Sequence, residues 1–338
     1  MAKKILIIGP AWIGDMVMAQ PLFMLLKAQD KECVIDVLAP DWSRPLLARM
    51  PEVHQSISLS IQHKQLGLYK RYQMAKSLYK EHYQQAIVLP NSFKSALIPY
   101  LARIPMRTGW LGEFRYGLLN DLRYLNKDKY PLMIERFLAL GLKKEGVLTK
   151  PYLEPKLQVD QKTVQKALAK FELVMGKKAI LALCPGAEFG PAKRWPETHY
   201  AKVAEEFLRR GWQVWLFGSA KDQVNTQKIM QLTKNQCVDL AGKTNLAEAI
   251  DLLSVVDKVV SNDSGLMHIA NALGRPTVVI YGSSSPSFTP PLNKDAQILK
   301  LDLACSPCFK RICPFGHLKC LNDLPAERVI EALASETL

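Results

Sequence analysis

Three segments of this chain combine residue types that could do chemistry. The first is Gly9-Pro10-Ala11-Trp12-Ile13-Gly14-Asp15, in which two glycines flank a short loop and a carboxylate closes it. Glycine lets backbone approach a ligand closely. A carboxylate at such a place can take a proton from an attacking hydroxyl, and the same position suits an Asp that stabilises a helix N-terminus. The second runs over 184–196 and carries Lys193 and Arg194 in a loop stiffened by glycine and proline. Two cations on a rigid loop suit a pyrophosphate, or simply make a basic turn. The third is Asn262-Asp263-Ser264-Gly265-Leu266-Met267-His268. Its first residues read as a helix start, with Asp263 or Ser264 as cap, and the following backbone N–H groups and helix dipole make an anion site. His268 lies one turn in, where a packed histidine is commoner than a catalytic one.

None of the three is a standard nucleotide motif. The glycines at 9 and 14 do not match the dinucleotide fingerprint, and no Gly-Lys-Ser/Thr follows to make a phosphate loop. There is no Asp-x-Asp pair; Asn262-Asp263 reads as a cap.

Elements that could position these segments are visible as apolar runs. Residues 3–8 read as a buried parallel strand and 15–28 as a helix with Met16, Ala19, Phe23 and Leu26 on one side. A strand over 34–39, a helix over 64–82 and a strand over 86–89 follow. Two prolines and no periodicity at 150–156 predict a linker. Beyond it, strands at 179–183, 213–217, 258–260 and 277–281 alternate with helices. The pattern predicts two doubly wound parallel sheets. The expected domains are 1–155 and 156–322, with a last helix near 325–336, in a tail of 323–338, crossing back onto the first domain. In such sheets ligands bind beyond the carboxyl ends of strands, where all three segments lie.

Bulk composition narrows the classes. The chain has 338 residues, 48% hydrophobic and 22% charged, which excludes wholesale disorder and is long enough for two cores. Seven cysteines, an odd number, speak against a secreted disulfide scaffold. The apolar run at the N-terminus ends at Gly9, too short for a signal peptide, and no run is long enough to span a membrane, so the expected location is cytoplasmic. Net charge is +14, and residues 1–155 hold 22 Lys and Arg against 13 Asp and Glu. Such a surface favours nucleic acid, anionic lipid or a phosphorylated sugar. Cys305, Cys308, Cys313 and Cys320, with His317 among them, form a cluster that could bind zinc or could be buried free thiols.

Taken in order, the 9–15 motif, Met18-Ala19-Gln20-Pro21-Leu22, Pro185 to Pro196 and Asn262 to His268 resemble the lipopolysaccharide heptosyltransferases. Within them the likeness is to the ADP-heptose:LPS heptosyltransferase II group of glycosyltransferase family 9, over nearly the whole chain. The resemblance implies a GT-B fold, two Rossmann-like domains facing a central cleft. It implies inverting transfer of L-glycero-D-manno-heptose from ADP-heptose to the first inner-core heptose on Kdo-lipid A, in lipopolysaccharide core biosynthesis, with no nucleic-acid partner. Carried over by motif, Asp15 would be the general base. Lys193, Asp263, Ser264, Gly265, Leu266 and His268 would bind the donor, with Asp222 as a ribose contact. The acceptor side would use Gly14 and basic residues drawn from Lys64, Lys70, Arg71, Arg107, Arg115 and Arg123, at the cytoplasmic face of the inner membrane. No cofactor is required and no metal is expected in catalysis. Alternatives are transfer to another core position, a GT-B sugar-nucleotide epimerase, and a non-catalytic nucleotide-sugar binder, which would not need Asp15.

Overall fold

Ile5 to Ile8 are buried on both strand faces because β1 (Lys4–Ile8) is interior to its sheet, with β2 (Val34–Ala39) on one side and β4 (Gln85–Val88) on the other. A strand covered on both faces must be apolar throughout, which is why this run stands out in the sequence. The computed structural model describes residues 2–59 and 66–335. It divides into two units, Met1–Pro155 and Lys156–Leu338.

The first unit continues with α1 (Ile13–Gln29), α2 (Arg44–Leu47), β3 (Gln55–Ser58), α3 (Leu68–Tyr79), α4 (Phe93–Leu101), β5 (Met106–Trp110), β6 (Asp121–Arg123) and α5 (Met133–Gly141). Its strands are ordered β3-β2-β1-β4-β5-β6, and every pairing is parallel. Helix α1 packs against α5, and α3 against α4. The inner sides of α3 and α4 share a core with the sheet through Ala75, Leu78, Ala96, Ile98, Leu6 and Val88.

The second unit holds α6 (Gln161–Lys170), β7 (Ile180–Cys184), α7 (Glu197–Arg209), β8 (Gln213–Leu216), α8 (Gln223–Leu232), β9 (Val238–Asp239) and α9 (Leu246–Leu253). It continues with β10 (Lys258–Asn262), α10 (Gly265–Ala272), β11 (Thr277–Ile280), β12 (Ala296–Leu299), α11 (Lys319–Asn322) and α12 (Ala326–Ala334). Its order, β12-β11-β10-β7-β8-β9, is the same one. Each unit thus has one topological switch point, between β1 and β4 and between β7 and β10, where connections leave in opposite directions and a crevice opens.

The last helix, expected to cross back onto the first domain, is grouped with the second unit. Helix α12 packs on α7 and β11 of its own unit. Leu321, Leu324, Val329 and Leu333 fill one core with Trp195, Tyr200, Phe207 and Val278. The Trp195 Nε1–H donates to the Leu324 carbonyl at 3.0 Å. The apolar stripe of α12 therefore has its partner within the second sheet's layer.

Candidate active site

The carboxyl ends of β7, β10 and β11 converge in the second unit, and Asn262 joins two of them. Its side chain is fully buried. Its Nδ2 donates to the Pro185 carbonyl at 2.8 Å, and its Oδ1 accepts from the Trp195 N–H and the Tyr200 hydroxyl, each at 3.1 Å. The loop after β7 is pinned at both ends to the end of β10. Asn262 is thus a staple rather than part of a cap.

Nor is Asp263 a cap. Its Oδ2 receives the Lys193 ammonium at 2.5 Å, with the carboxylate 4% and the lysine side chain 16% exposed. The N-cap of α10 is Ser264, in extended conformation and with no side-chain capping bond; its Oγ lies 3.3 Å from Ser261 Oγ. The first turn of α10 therefore keeps amides that no capping side chain satisfies, at half-exposed Ser264, Gly265 and Leu266. An uncapped helix start beside a fixed ammonium is an anion site by both hydrogen bonding and dipole. Lys193, Asp263, Ser264, Gly265 and Leu266 are brought together here.

His268 is on the same helix but buried. Burial pushes its pKa down to about 4; neighbouring Asp263 pulls it up and Lys193 pushes it further down. It is a neutral side chain packed beneath the site, not a surface contact for a ligand. Asp222 also turns inward. Its Oδ2 accepts from the Ser219 N–H at 2.9 Å and the Ser219 hydroxyl at 2.7 Å. A Cβ on Gly186 would collide with the Asp222 carboxyl group, so only glycine allows this approach. Asp222 joins the loops after β7 and β8, and at 7% exposure its carboxylate offers little to a ribose.

Two features escaped the sequence reading. Arg311 lies against the Phe189 ring at 5.3 Å, and Lys193 against the same ring at 5.0 Å. The Arg311 carbonyl accepts from the Ala192 N–H at 3.1 Å. Gly190, at φ 151°, comes so close to that carbonyl that a Cβ would lie 2.5 Å from it. In sequence the Lys310-Arg311 pair lies between Cys308 and Cys313 and has no motif of its own. Ser283 and Ser284, after β11, are buried, and their hydroxyls have no hydrogen-bond partner among the described residues. Their signal was their place, just past a strand's carboxyl end at the switch-point side of the sheet.

In the cysteine segment the four sulfurs influence one another. Burial first, then Cys305, Cys308 and Cys313, raise the Cys320 pKa. Backbone N–H groups, that of Leu318 foremost, hold Cys313 below its usual value. Among the described residues no group of three or more His, Cys, Asp or Glu side chains is arranged to hold a metal ion.

In the first unit Asp15 occupies the first turn of α1, half-buried, directly after β1 at the switch point. The N-cap is Trp12, so Asp15 is not the capping residue. Gly9 permits the tight start of α1, since a Cβ there would lie 2.7 Å from Met16 Cε. Gly14 is in the same turn.

The proposed acceptor cations are mostly not available. Arg115 is fully buried and its guanidinium donates to the Pro90 carbonyl at 2.6 Å, to Asn91 Oδ1 at 3.2 Å and to the Trp110 carbonyl. Burial lowers its pKa to about 10, so it stays charged near neutrality. Arg123 pairs with Asp121 at 2.7 Å and donates to the Ala139 carbonyl. Arg71 donates to the Leu66 and Lys94 carbonyls. Arg107 donates to the Leu118 and Ile104 carbonyls, both at 2.7 Å. A guanidinium fork satisfies carbonyls that turns leave orphaned, and a charge count cannot distinguish such arginines from exposed ones. Lys70 is exposed; Lys64 lies outside the described residues.

Two Rossmann-type sheets in tandem, each with one switch point, are the architecture of the GT-B class. The family model "Glycosyltransferase family 9 (heptosyltransferase)" matches residues 71–319. The chain is 47% identical over 98% of its length to the lipopolysaccharide heptosyltransferase 2 of Salmonella typhimurium, of which it covers 98%. It is 51% identical to the lipooligosaccharide heptosyltransferase 2 of Haemophilus influenzae, over 88% of each chain. The solved structure of E. coli ADP-heptose LPS heptosyltransferase II superposes with a TM-score of 0.87 at 45% identity, covering 98% of this chain and 97% of that one. The chain belongs to glycosyltransferase family 9, and it is an enzyme.

Proposed function

We propose that this enzyme transfers L-glycero-D-manno-heptose from ADP-heptose to the first heptose of the lipopolysaccharide inner core, with inversion. The observation that carries the donor half is Lys193 held by buried Asp263 beside the uncapped start of α10. Its near-full-length likeness to heptosyltransferase 2 proteins supports the sugar and acceptor.

In this reading the acceptor hydroxyl attacks the anomeric carbon as Asp15 takes its proton, and the bond to the diphosphate breaks. The negative charge that grows on the leaving diphosphate meets the Lys193 ammonium and the α10 amides. Both are fixed before reaction, so little reorganisation is required. Asp263 positions Lys193, and Asn262 positions the loop that carries it. The charge is assigned entirely to these groups, so turnover should persist in excess chelator.

The test is incubation with ADP-heptose and a truncated glycolipid ending in one heptose, read by mass spectrometry. A gain of one heptose supports transfer. Release of free or isomerised sugar with unchanged glycolipid favours the epimerase reading, and donor binding without either product favours a binder.

A further inference from the structure

Helices α3 and α4 bury their inner sides in the core of the first unit, yet their outer sides are not polar. On α3 the outer stripe is Tyr69, Tyr72, Lys76 and Tyr79, spaced by three and four residues, with Lys80 beside it; all are exposed, Tyr69 at 72%. On α4 it is Phe93, Leu97, Tyr100 and Leu101. Phe93, Tyr100 and Leu101 are exposed and Leu97 is half-exposed. Single exposed apolar residues are ordinary. Helices α3 and α4 are neighbours, and both turn aromatic and aliphatic side chains outward, a concentration of exposed apolar surface that marks an interaction face.

Charge selects the partner. Between 66 and 113 the sequence holds seven Lys and Arg and two acidic residues, Glu81 and Glu113. Glu81 pairs with Lys4 at 2.9 Å, and Glu113 accepts from the Phe93 N–H at the start of α4. Arg71 and Arg107 are bound to carbonyls, but Lys76 and Lys80 on α3 and Arg103 after α4 are exposed. Tyrosine rings interleaved with lysines are the composition of surfaces that lie at a bilayer interface: the rings sit at headgroup depth and the lysines meet anionic lipid.

We propose that the outer face of α3 and α4 docks on a bilayer containing anionic phospholipid. The inference deepens the proposed function by naming the surface that brings the enzyme to a lipid-anchored acceptor. It also stands apart from that reading, because vesicle binding needs neither donor nor acceptor.

The test is co-sedimentation of the full chain with vesicles of phosphatidylcholine alone or mixed with phosphatidylglycerol, at low and high salt. Wild type should bind the anionic vesicles, release in high salt and bind the neutral ones poorly. Lys76→Glu/Lys80→Glu should lower partition onto anionic vesicles by about tenfold or more, given the attraction of each lysine to an anionic surface. Tyr72→Ser/Tyr100→Ser tests the apolar half and should lower it too. Both variants should keep the wild-type circular dichroism spectrum and ADP affinity. Wild-type partition in either folded variant would overturn the proposal. So would self-association in the ultracentrifuge that the same substitutions abolish without any vesicle binding, since the face would then belong to a second copy. Loss of heptose transfer with vesicle binding intact would sink the functional reading alone.

Discussion

Replacing Lys193 by Met separates two roles that one activity measurement would merge. The ammonium lies 2.5 Å from an Asp263 oxygen, and both groups are largely out of water. Removing one member of such a pair leaves a buried carboxylate without its counter-charge, a loss of about 3–5 kcal/mol when burial is complete. Lys193 keeps some exposure, so about 2–3 kcal/mol is expected on the same scale. The second unit's thermal transition should fall by several degrees. ADP affinity should drop about tenfold to a hundredfold, the scale of one charge-assisted hydrogen bond to phosphate. The double variant Lys193→Met/Asp263→Asn removes both charges and should recover most of the stability. It should not recover ADP binding, because the ammonium is still missing. Calorimetric titration with ADP and differential scanning on wild type, both singles and the double give the full cycle. Wild-type ADP affinity in the folded double variant would refute the assignment of Lys193 to the diphosphate. If the double variant is no more stable than the single, Asp263 is not relieved and the pair is not the unit described.

Asp15→Asn should keep fold and ADP affinity but lower kcat by about 10² or more, since a base acts mainly in the transition state; near-normal turnover on the heptosyl acceptor would remove it from that role. His268 has a folded pKa lowered to about 4 from 6.5. Its stabilising contribution is therefore complete above about pH 6.5 and is lost as pH falls toward 4, up to about 3 kcal/mol. His268→Gln should flatten that part of the stability–pH curve in denaturant titrations, and an unchanged slope would show that other groups govern it. Asn262→Ala strands the Trp195 N–H and the Pro185 carbonyl in the interior. It should cost about 2–4 kcal/mol, read as a lowered denaturation midpoint.

The strands legible in the sequence were those buried on both faces. The β1, β2, β4, β7, β8, β10 and β11 runs are short apolar blocks ended by glycine, proline or an Asx residue, and a central strand in a parallel sheet has no other way to read. The strands that were missed lie toward sheet edges. These include β3, with sequence Gln55-Ser56-Ile57-Ser58, three-residue β6 and two-residue β9, too short or too polar to show a period. Site loops were found because they follow strands, but the roles within them were not. Asn262 and Asp263 look like one helix cap in sequence. In the structure one joins two loops and the other holds a lysine seventy positions away. Such assignments depend on contacts between distant segments, which local spacing does not encode. The basic residues show the same limit, since Arg71 and Lys76 look alike in sequence but one is buried and the other exposed.

A carboxylate buried at an anion site looks self-defeating, because Asp263 must repel the phosphate that Lys193 is meant to attract. The geometry argues otherwise. A lysine ends in a point charge on a flexible stem, and immobilising it near neutral pH costs rotamer entropy. Asp263 meets that cost in the resting protein, and with Phe189 under the ammonium the side chain is already directed. Asp263's negative charge is largely offset by the same ammonium, and the amides at the start of α10 add a dipole that favours an anion. The result is weaker ground-state attraction for a diphosphate than a free lysine would give, but a fixed field in which charge that grows on the leaving oxygen is met without rearrangement. A site tuned this way trades ground-state affinity for rate. Asp263→Asn should therefore bind ADP at least as tightly as wild type yet turn over more slowly, because the ammonium is freed but no longer held in place. Wild-type kcat in folded Asp263→Asn protein would show that Asp263 contributes nothing to directing Lys193.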